Sequence, residues 1–145
     1  PGGPELLVGT LGPRTIRAAA AGADGLAGMS LDLDLAEIAR VFALARDAWR
    51  EAGRPEPRLT TSFWFALDDG DGSARAQVHR HLRHYMNWIP GEYVDALAAT
   101  AGYAGTPARL RDLLRRVEDL GADEVQLIPT GSDVDQVHRV AELLV

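Results

Sequence analysis

The sequence contains no cysteine, which excludes disulfides, thiolate nucleophiles and metal sites built on sulfur. It contains no lysine either, because all 15 basic residues are arginine. Schiff-base chemistry on an amine side chain is therefore closed to it. No stretch reaches the roughly 18 consecutive apolar residues of a membrane-spanning helix, so no membrane partner is expected. Against 21 acidic residues the arginines leave a net charge of −6, the wrong sign for neutralising nucleic-acid phosphates. There is no Ser-x-Gly nucleophile elbow and no HExxH zinc motif, and Gly9 and Gly12 have the wrong spacing for the dinucleotide fingerprint. The opening Pro1-Gly2-Gly3-Pro4 is neither a charged leader nor an initiating methionine. A chain that starts almost directly on a buried strand is expected to be part of a longer one, and the absence of cysteine fits the cytosol.

What is present suits one domain-sized core: 145 residues, 46% of them hydrophobic. The stretch from Leu6 to Ala20 organises the rest. Leu6, Leu7 and Val8 form a short apolar run bounded by turn residues, the pattern of a strand buried on both faces. Gly9 and Gly12 allow a sharp turn and close approach of a ligand, and Pro13 suits the first position of a helix. The amides of residues 10 to 15 are then free, with the positive end of the helix dipole behind them, which is a site for phosphate or another anion. Many strand-to-helix turns carry glycine and proline only to turn, and the residues alone leave both readings open.

Downstream, Gly22 fits the left-handed position past a helix end, and a short strand follows over Ala23 to Leu26. Asp34 and Glu37 have the spacing of a capping box. The helix they open carries Leu35, Ile38, Ala39, Phe42, Ala45 and Trp49 as one apolar stripe and ends at Gly53. Residues 59–67 have the β-branched and aromatic composition of a third strand. An acidic glycine loop, Asp68 to Ser73, leads to a helix expected to run to Trp88 with Val78, Leu82, Tyr85 and Met86 on its apolar side. Pro90-Gly91 breaks it before a shorter helical piece with Tyr93, Val94 and Leu97. Thr106-Pro107 starts another helix, striped with Leu110, Leu113, Leu114, Val117 and Leu120. Residues 124–128 make a fourth strand, and Asp133 caps a last helix with Val134, Val137, Val140, Ala141 and Leu144 as its stripe. Alternating strand and helix units mean a parallel sheet. Such units build either a small doubly wound domain or half of an eight-fold barrel, and a half barrel leaves open strand edges. The start directly on a strand favours the half barrel.

Three constellations offer chemistry and are read as structural. Of His79, His81 and His84, only His81 and His84 share a helix face, and Arg80 and Arg83 would repel a cation; no metal site is assigned. The loop at Asp68 lacks the glycine and the glutamate that a calcium loop needs and is read as a solvated turn. Trp64 and Phe65 either line a pocket for a flat ring or fill the core.

The order of these pieces resembles the luciferase-like flavin-dependent oxidoreductases. The resemblance rests on Leu6-Leu7-Val8-Gly9-Thr10, on Gly12-Pro13-Arg14 with its alanine-rich helix, and on Ala23-Asp24-Gly25. It continues through Glu51-Ala52-Gly53-Arg54, Gly105-Thr106-Pro107 and Gly121-Ala122-Asp123-Glu124, and so covers essentially the whole chain. It implies an α/β fold, a TIM-type barrel of parallel strands of which residues 1–145 form a single unit, strands five to eight with their helices. It implies FMN or the related deazaflavin as cofactor, with the cofactor phosphate at the loop after the fifth strand, here Gly9, Thr10, Leu11, Gly12 and Thr15. A small-molecule substrate, a missing N-terminal barrel half or a second copy, and a homodimer are the implied partners. No residue of this half takes a catalytic role by resemblance, since the cofactor carries the redox chemistry. A second reading stays open, a non-catalytic half barrel that binds anions or serves assembly and dimerises to close the barrel.

Overall fold

The computed structural model describes residues 3–144. The elements follow in the order β1 (Leu7–Val8), α1 (Pro13–Ala19), β2 (Gly25–Ala27), α2 (Leu35–Glu51), β3 (Arg58–Leu67) and α3 (Ser73–Tyr85). They continue with α4 (Gly91–Ala98), β4 (Tyr103–Gly105), α5 (Pro107–Asp119), β5 (Glu124–Pro129) and α6 (Asp135–Ala141). The sheet order is β1-β2-β3-β4 with β5 beside β3, and the β1–β2, β2–β3 and β3–β4 pairs are parallel. Every strand and helix expected from the sequence is found. β4 is an addition, three residues that carry no alternation to read.

The chain divides into two compact units. One comprises the residues through Ser30, Asp34–Ser62 and Arg116–Gln126; the other comprises Leu31–Leu33, Phe63–Arg115 and Leu127 onward. In the first unit, Leu26 of β2 and Leu59 of β3 pack against Ile16 of α1 and against Phe42, Ala45 and Trp49 of α2. Each such large side chain contributes about 1.5–3 kcal/mol when fully buried. Asp34 caps α2 by accepting hydrogen bonds from the N–H groups of Ala36 (2.8 Å) and Glu37 (3.2 Å). The Glu37 carboxylate turns to Arg40 rather than back to the cap, so only half of the expected capping box forms. Gly53, with φ of +67°, ends α2 as its position predicts. Arg46 reaches from α2 to the carbonyls of Leu120 (3.3 Å) and Gly121 (3.2 Å), fixing the turn that feeds β5.

Two expectations for this unit are corrected. β1 is half-buried rather than buried on both faces, and Leu6 is exposed, because β1 has β2 as its neighbour on one side only. Gly9, Gly12 and Gly22 are absent from the positive-φ positions, so none of them uses the left-handed freedom of glycine. The glycine that geometry requires is Gly25, directly opposite Arg58 in the ladder. A Cβ there would collide with the Arg58 backbone.

In the second unit the polar groups do most of the orienting. Gln136, buried on α6, accepts from the N–H of Leu67 (2.7 Å) and donates to its carbonyl (3.1 Å). This turns the polar side of α6 inward. Val140 is buried, whereas Val134, Val137 and Leu144 of the expected apolar stripe are exposed. Asp68 is buried rather than solvated, one carboxylate oxygen accepting from Gly70 N–H (3.0 Å) and the other from Ala74 N–H (3.2 Å) at the start of α3. α3 ends at Tyr85 and not at Trp88, and Tyr85, its last residue, is exposed while Val78 and Leu82 are buried. Arg75 on α3 donates to the carbonyls of Ala98 (3.3 Å) and Ala101 (2.5 Å), placing a cation at the negative end of α4. Asp95 on α4 joins His79 Nε2 (2.6 Å) and the Arg83 guanidinium, whose Nε lies 2.6 Å away.

Gly25→Ala is expected to destabilise the chain by about 3 kcal/mol or more, because the clash is with backbone that cannot rotate away; thermal melts of the two chains check this. The hydrogen bonds from Arg83 and then His79 hold the Asp95 carboxyl below its ordinary value of 3.8. A carboxylate depressed in the folded state stabilises fully above its unfolded value and loses that contribution as pH falls through the folded one. Melting temperature followed below about pH 4 should therefore fall more steeply for the wild type than for Asp95→Asn, and parallel curves would refute the assignment.

Candidate functional site

The five residues Gly9, Thr10, Leu11, Gly12 and Thr15 lie together where β1 passes into α1. Gly12 precedes Pro13 in extended conformation, with φ of −78° and ψ of 131°. Thr10 Oγ1 accepts from the Gly12 N–H at 3.3 Å, and Ile16 N–H bonds the Gly12 carbonyl at 3.0 Å. Among the described residues the N–H groups of Leu11, Arg14 and Thr15 have no acceptor. The first turn of α1 holds no acidic side chain, so nothing there competes with an incoming anion. A Cβ built at Gly12 meets only Thr15 Oγ1, at 3.8 Å. The space above Gly12 is open, and the loop presents backbone rather than side chains.

The loop borders a cleft within the same unit. Leu11 forms one side, and Gly28, Met29 and Ser30, the continuation of β2, form another. Ile38, Val41 and Phe42 of α2 supply an apolar floor, with Thr61 of β3 beside it and Glu37 among the lining groups. The continuation of β2 is held by Gly28 N–H to the Thr60 carbonyl and Ser30 N–H to the Ser62 carbonyl, both at 2.9 Å. Ser62 Oγ returns a bond to the Gly28 carbonyl at 3.0 Å. A Cβ at Gly28 would sit 3.0 Å from the Thr60 carbonyl oxygen, so glycine is what lets the two chains stay this close. Ser30 is 5% exposed, and its Oγ has no hydrogen-bond partner. A buried hydroxyl left unsatisfied costs about 1–3 kcal/mol. The cleft encloses about 20 Å³, room for one water-sized group.

The sequence reading singled out the loop and named none of Gly28, Ser30 and Thr61, which line the cleft beside it. The available signal was position: residues just past the C-terminal end of a parallel strand are where barrel proteins place functional groups. Other candidates have structural work in the second unit. Trp64 and Phe65 are both buried, so they fill the core. His79 is engaged by Asp95, whereas His81 stacks on Tyr85 (ring centroids 5.8 Å apart) and meets the edge of Trp64. Burial and the nearby His84 lower the pKa of His81. Asp71 accepts from the backbone N–H and the hydroxyl of Ser73 (3.0 and 2.7 Å), which lowers its pKa.

Comparison with known proteins places this geometry in a family. Residues 1–98 match the family model of the luciferase-like monooxygenases. No curated protein matches by sequence. Among solved structures, an F420-dependent secondary alcohol dehydrogenase in complex with an F420-acetone adduct is similar with a TM-score of 0.77 at 14% identity, over 99% of this chain and 48% of its own. The coenzyme F420-dependent tetrahydromethanopterin reductase from Methanopyrus kandleri gives 0.65 at 16% identity, over 97% of this chain and 48% of its own. EDTA monooxygenase from Chelativorans sp. BNC1 gives 0.66 at 20% identity, over 99% of this chain and 44% of its own. The chain thus spans about half the length of these proteins, and the similarity bears out the α/β fold of a parallel half of a TIM-type barrel. With more than half of its residues matching the family model, the chain belongs to the luciferase-like monooxygenase family.

Proposed function

We propose that this chain supplies strands five to eight of a flavin- or deazaflavin-dependent oxidoreductase, and that its loop from Gly9 to Thr15 holds the phosphate of the cofactor. The observation that carries this reading is the set of N–H groups at Leu11, Arg14 and Thr15 that have no acceptor among the described residues, flanking an open Gly12 with no acidic side chain in the first turn of α1. Backbone donors at a strand-to-helix turn suit a phosphate because they are fixed in direction and backed by the helix dipole. Thr10 is engaged in shaping the loop, whereas the Thr15 hydroxyl lies near the space over Gly12 and is placed to add a side-chain donor.

FMN and the deazaflavin F420 both carry such a phosphate, and two of the similar structures are of F420-dependent enzymes. When bound, the cofactor supplies the redox chemistry. The residues of this chain bind and orient it: the loop anchors the phosphate end, and the apolar surface behind Leu11 excludes water from it. No side chain here is assigned a catalytic role. The small-molecule substrate would be recognised largely by a preceding barrel half, whether from the same polypeptide or a second copy, within a homodimer in the cytosol. A non-catalytic anion-binding half barrel would use the same amides, but would hold inorganic phosphate as well as it holds either cofactor.

Gly12→Asp is the direct test. The substitution meets no steric obstacle at a negative φ, so melting temperature should hold within the range of ordinary surface changes. It adds a negative charge where the phosphate approaches, and affinity for FMN or F420 should fall at least about tenfold at low ionic strength. Unchanged affinity in a fluorescence titration of the complete protein would remove the loop from the site.

A further inference from the structure

A second cavity, of about 330 Å³, lies in the first unit where the parallel strands begin, and its lining includes Glu5, Asp24, Trp49, Arg54, Glu56 and Arg58. Glu5 precedes β1, Asp24 precedes β2 and Arg58 opens β3, whereas the loop at Gly9 follows the end of β1. The cavity shares no residue with that loop or with the cleft at Ser30. Its volume falls in the range of small-molecule sites, about 300–1,000 Å³. Two of its side chains carry a buried N–H with no acceptor among the described residues, Trp49 Nε1 and Arg58 Nε, and Trp49 is only 1% exposed. A buried donor left unpaired is costly, so both require an oxygen acceptor. The charges of the wall are otherwise accounted for. Arg58 Nη1 bonds Glu5 at 2.8 Å and its Nη2 bonds Glu124 at 2.6 Å. Arg54 Nη2 stands 3.4 Å from Asp24 Oδ1, and Asp24 Oδ2 accepts from Leu6 N–H at 2.9 Å. Glu56 is exposed and has no cationic partner among the described residues.

These groups select the charge of a ligand. A simple cation leaves both N–H groups without an acceptor. A simple anion satisfies them but meets three carboxylates against two arginines on the wall. A dipolar ion meets both conditions. We propose that this cavity binds a free α-amino acid, whose carboxylate accepts from Trp49 Nε1 and Arg58 Nε and whose ammonium group pairs with Glu56. A carboxylate suits the two donors because hydrogen bonds to an ionised acceptor are shorter and stronger than neutral ones. The site stands apart from the reading given under Proposed function, since it uses no residue from Gly9 to Thr15.

The test titrates L-alanine, propionate and ethylamine into the complete protein, followed by calorimetry and by the indole N–H resonances of isotope-labelled protein. Propionate is L-alanine without its ammonium group, and ethylamine is L-alanine without its carboxylate. L-Alanine should bind and shift the indole N–H resonance of Trp49, leaving those of Trp64 and Trp88 in place. Propionate and ethylamine should bind at least about tenfold more weakly, each having lost one charged end. Glu56→Gln, a change at an exposed side chain, should weaken L-alanine binding by about two- to fivefold, the worth of one exposed ion pair, at an unchanged melting temperature. Propionate binding as tightly as L-alanine would make the cavity an anion site, and unchanged affinity in Glu56→Gln would leave the ammonium group without its partner; either result overturns the proposal. So does a Trp49 resonance that stays in place at saturation, or a complete protein that binds none of the three molecules.

Discussion

The first unit depends on how closely β2 approaches β3. Gly25 stands opposite Arg58 with no room for a side chain, and Gly28 repeats the close approach three residues later. Hydroxyls of β3 reinforce the ladder from the side, Thr60 Oγ1 to the Leu26 carbonyl at 3.1 Å and Ser62 Oγ to the Gly28 carbonyl. β2 itself is three residues long, too short to hold its own register. Pairing that continues through Gly28 and Ser30 extends its hold on β3 beyond the regular strand. The same continuation carries Ser30 to the cleft that Leu11 also lines. Backbone proximity, rather than any single side chain, thus shapes the candidate site.

The second unit solves a different problem. Three of its helices, α3, α4 and α6, are directed in their packing by polar groups with defined partners. Arg75 closes the end of α4, Asp95 gathers His79 and Arg83, and Gln136 clasps both backbone groups of Leu67. Unsatisfied groups are costly and satisfied ones are directional, so these bonds choose one orientation of each helix where hydrophobic burial alone would allow several. Arginine suits this role because one planar fork reaches several carbonyls at once.

Family membership and site geometry constrain function at different levels. The family model fixes the family, and the structural likeness fixes the barrel-type fold. Identity of 14–20% to the compared structures carries the fold and no substrate. The chain itself shows backbone N–H groups without an acceptor among the described residues at the turn from β1 into α1, beside a narrow cleft in which Ser30 Oγ is unpaired.

The sequence by itself determined the element order, because proline at the start of α1, the Asp34 cap and the glycine stop after α2 act through local backbone geometry. It also located the loop at Gly9 to Thr15, since a strand, a turn and a proline-led helix are read from neighbouring residues. Tertiary structure decided what each side chain faces. The stripe on α6 was legible as apolar, yet the bond from Gln136 to Leu67 turned much of it to solvent. Asp68 was legible as a loop acid, yet the free amides of α3 drew it inside. Ser30 carried no local signal, because the residues that line the cleft with it, among them Phe42 of α2 and Thr61 of β3, are separated from it by long stretches of chain. Local geometry is written in short-range order; satisfaction of a buried polar group is a property of everything packed around it.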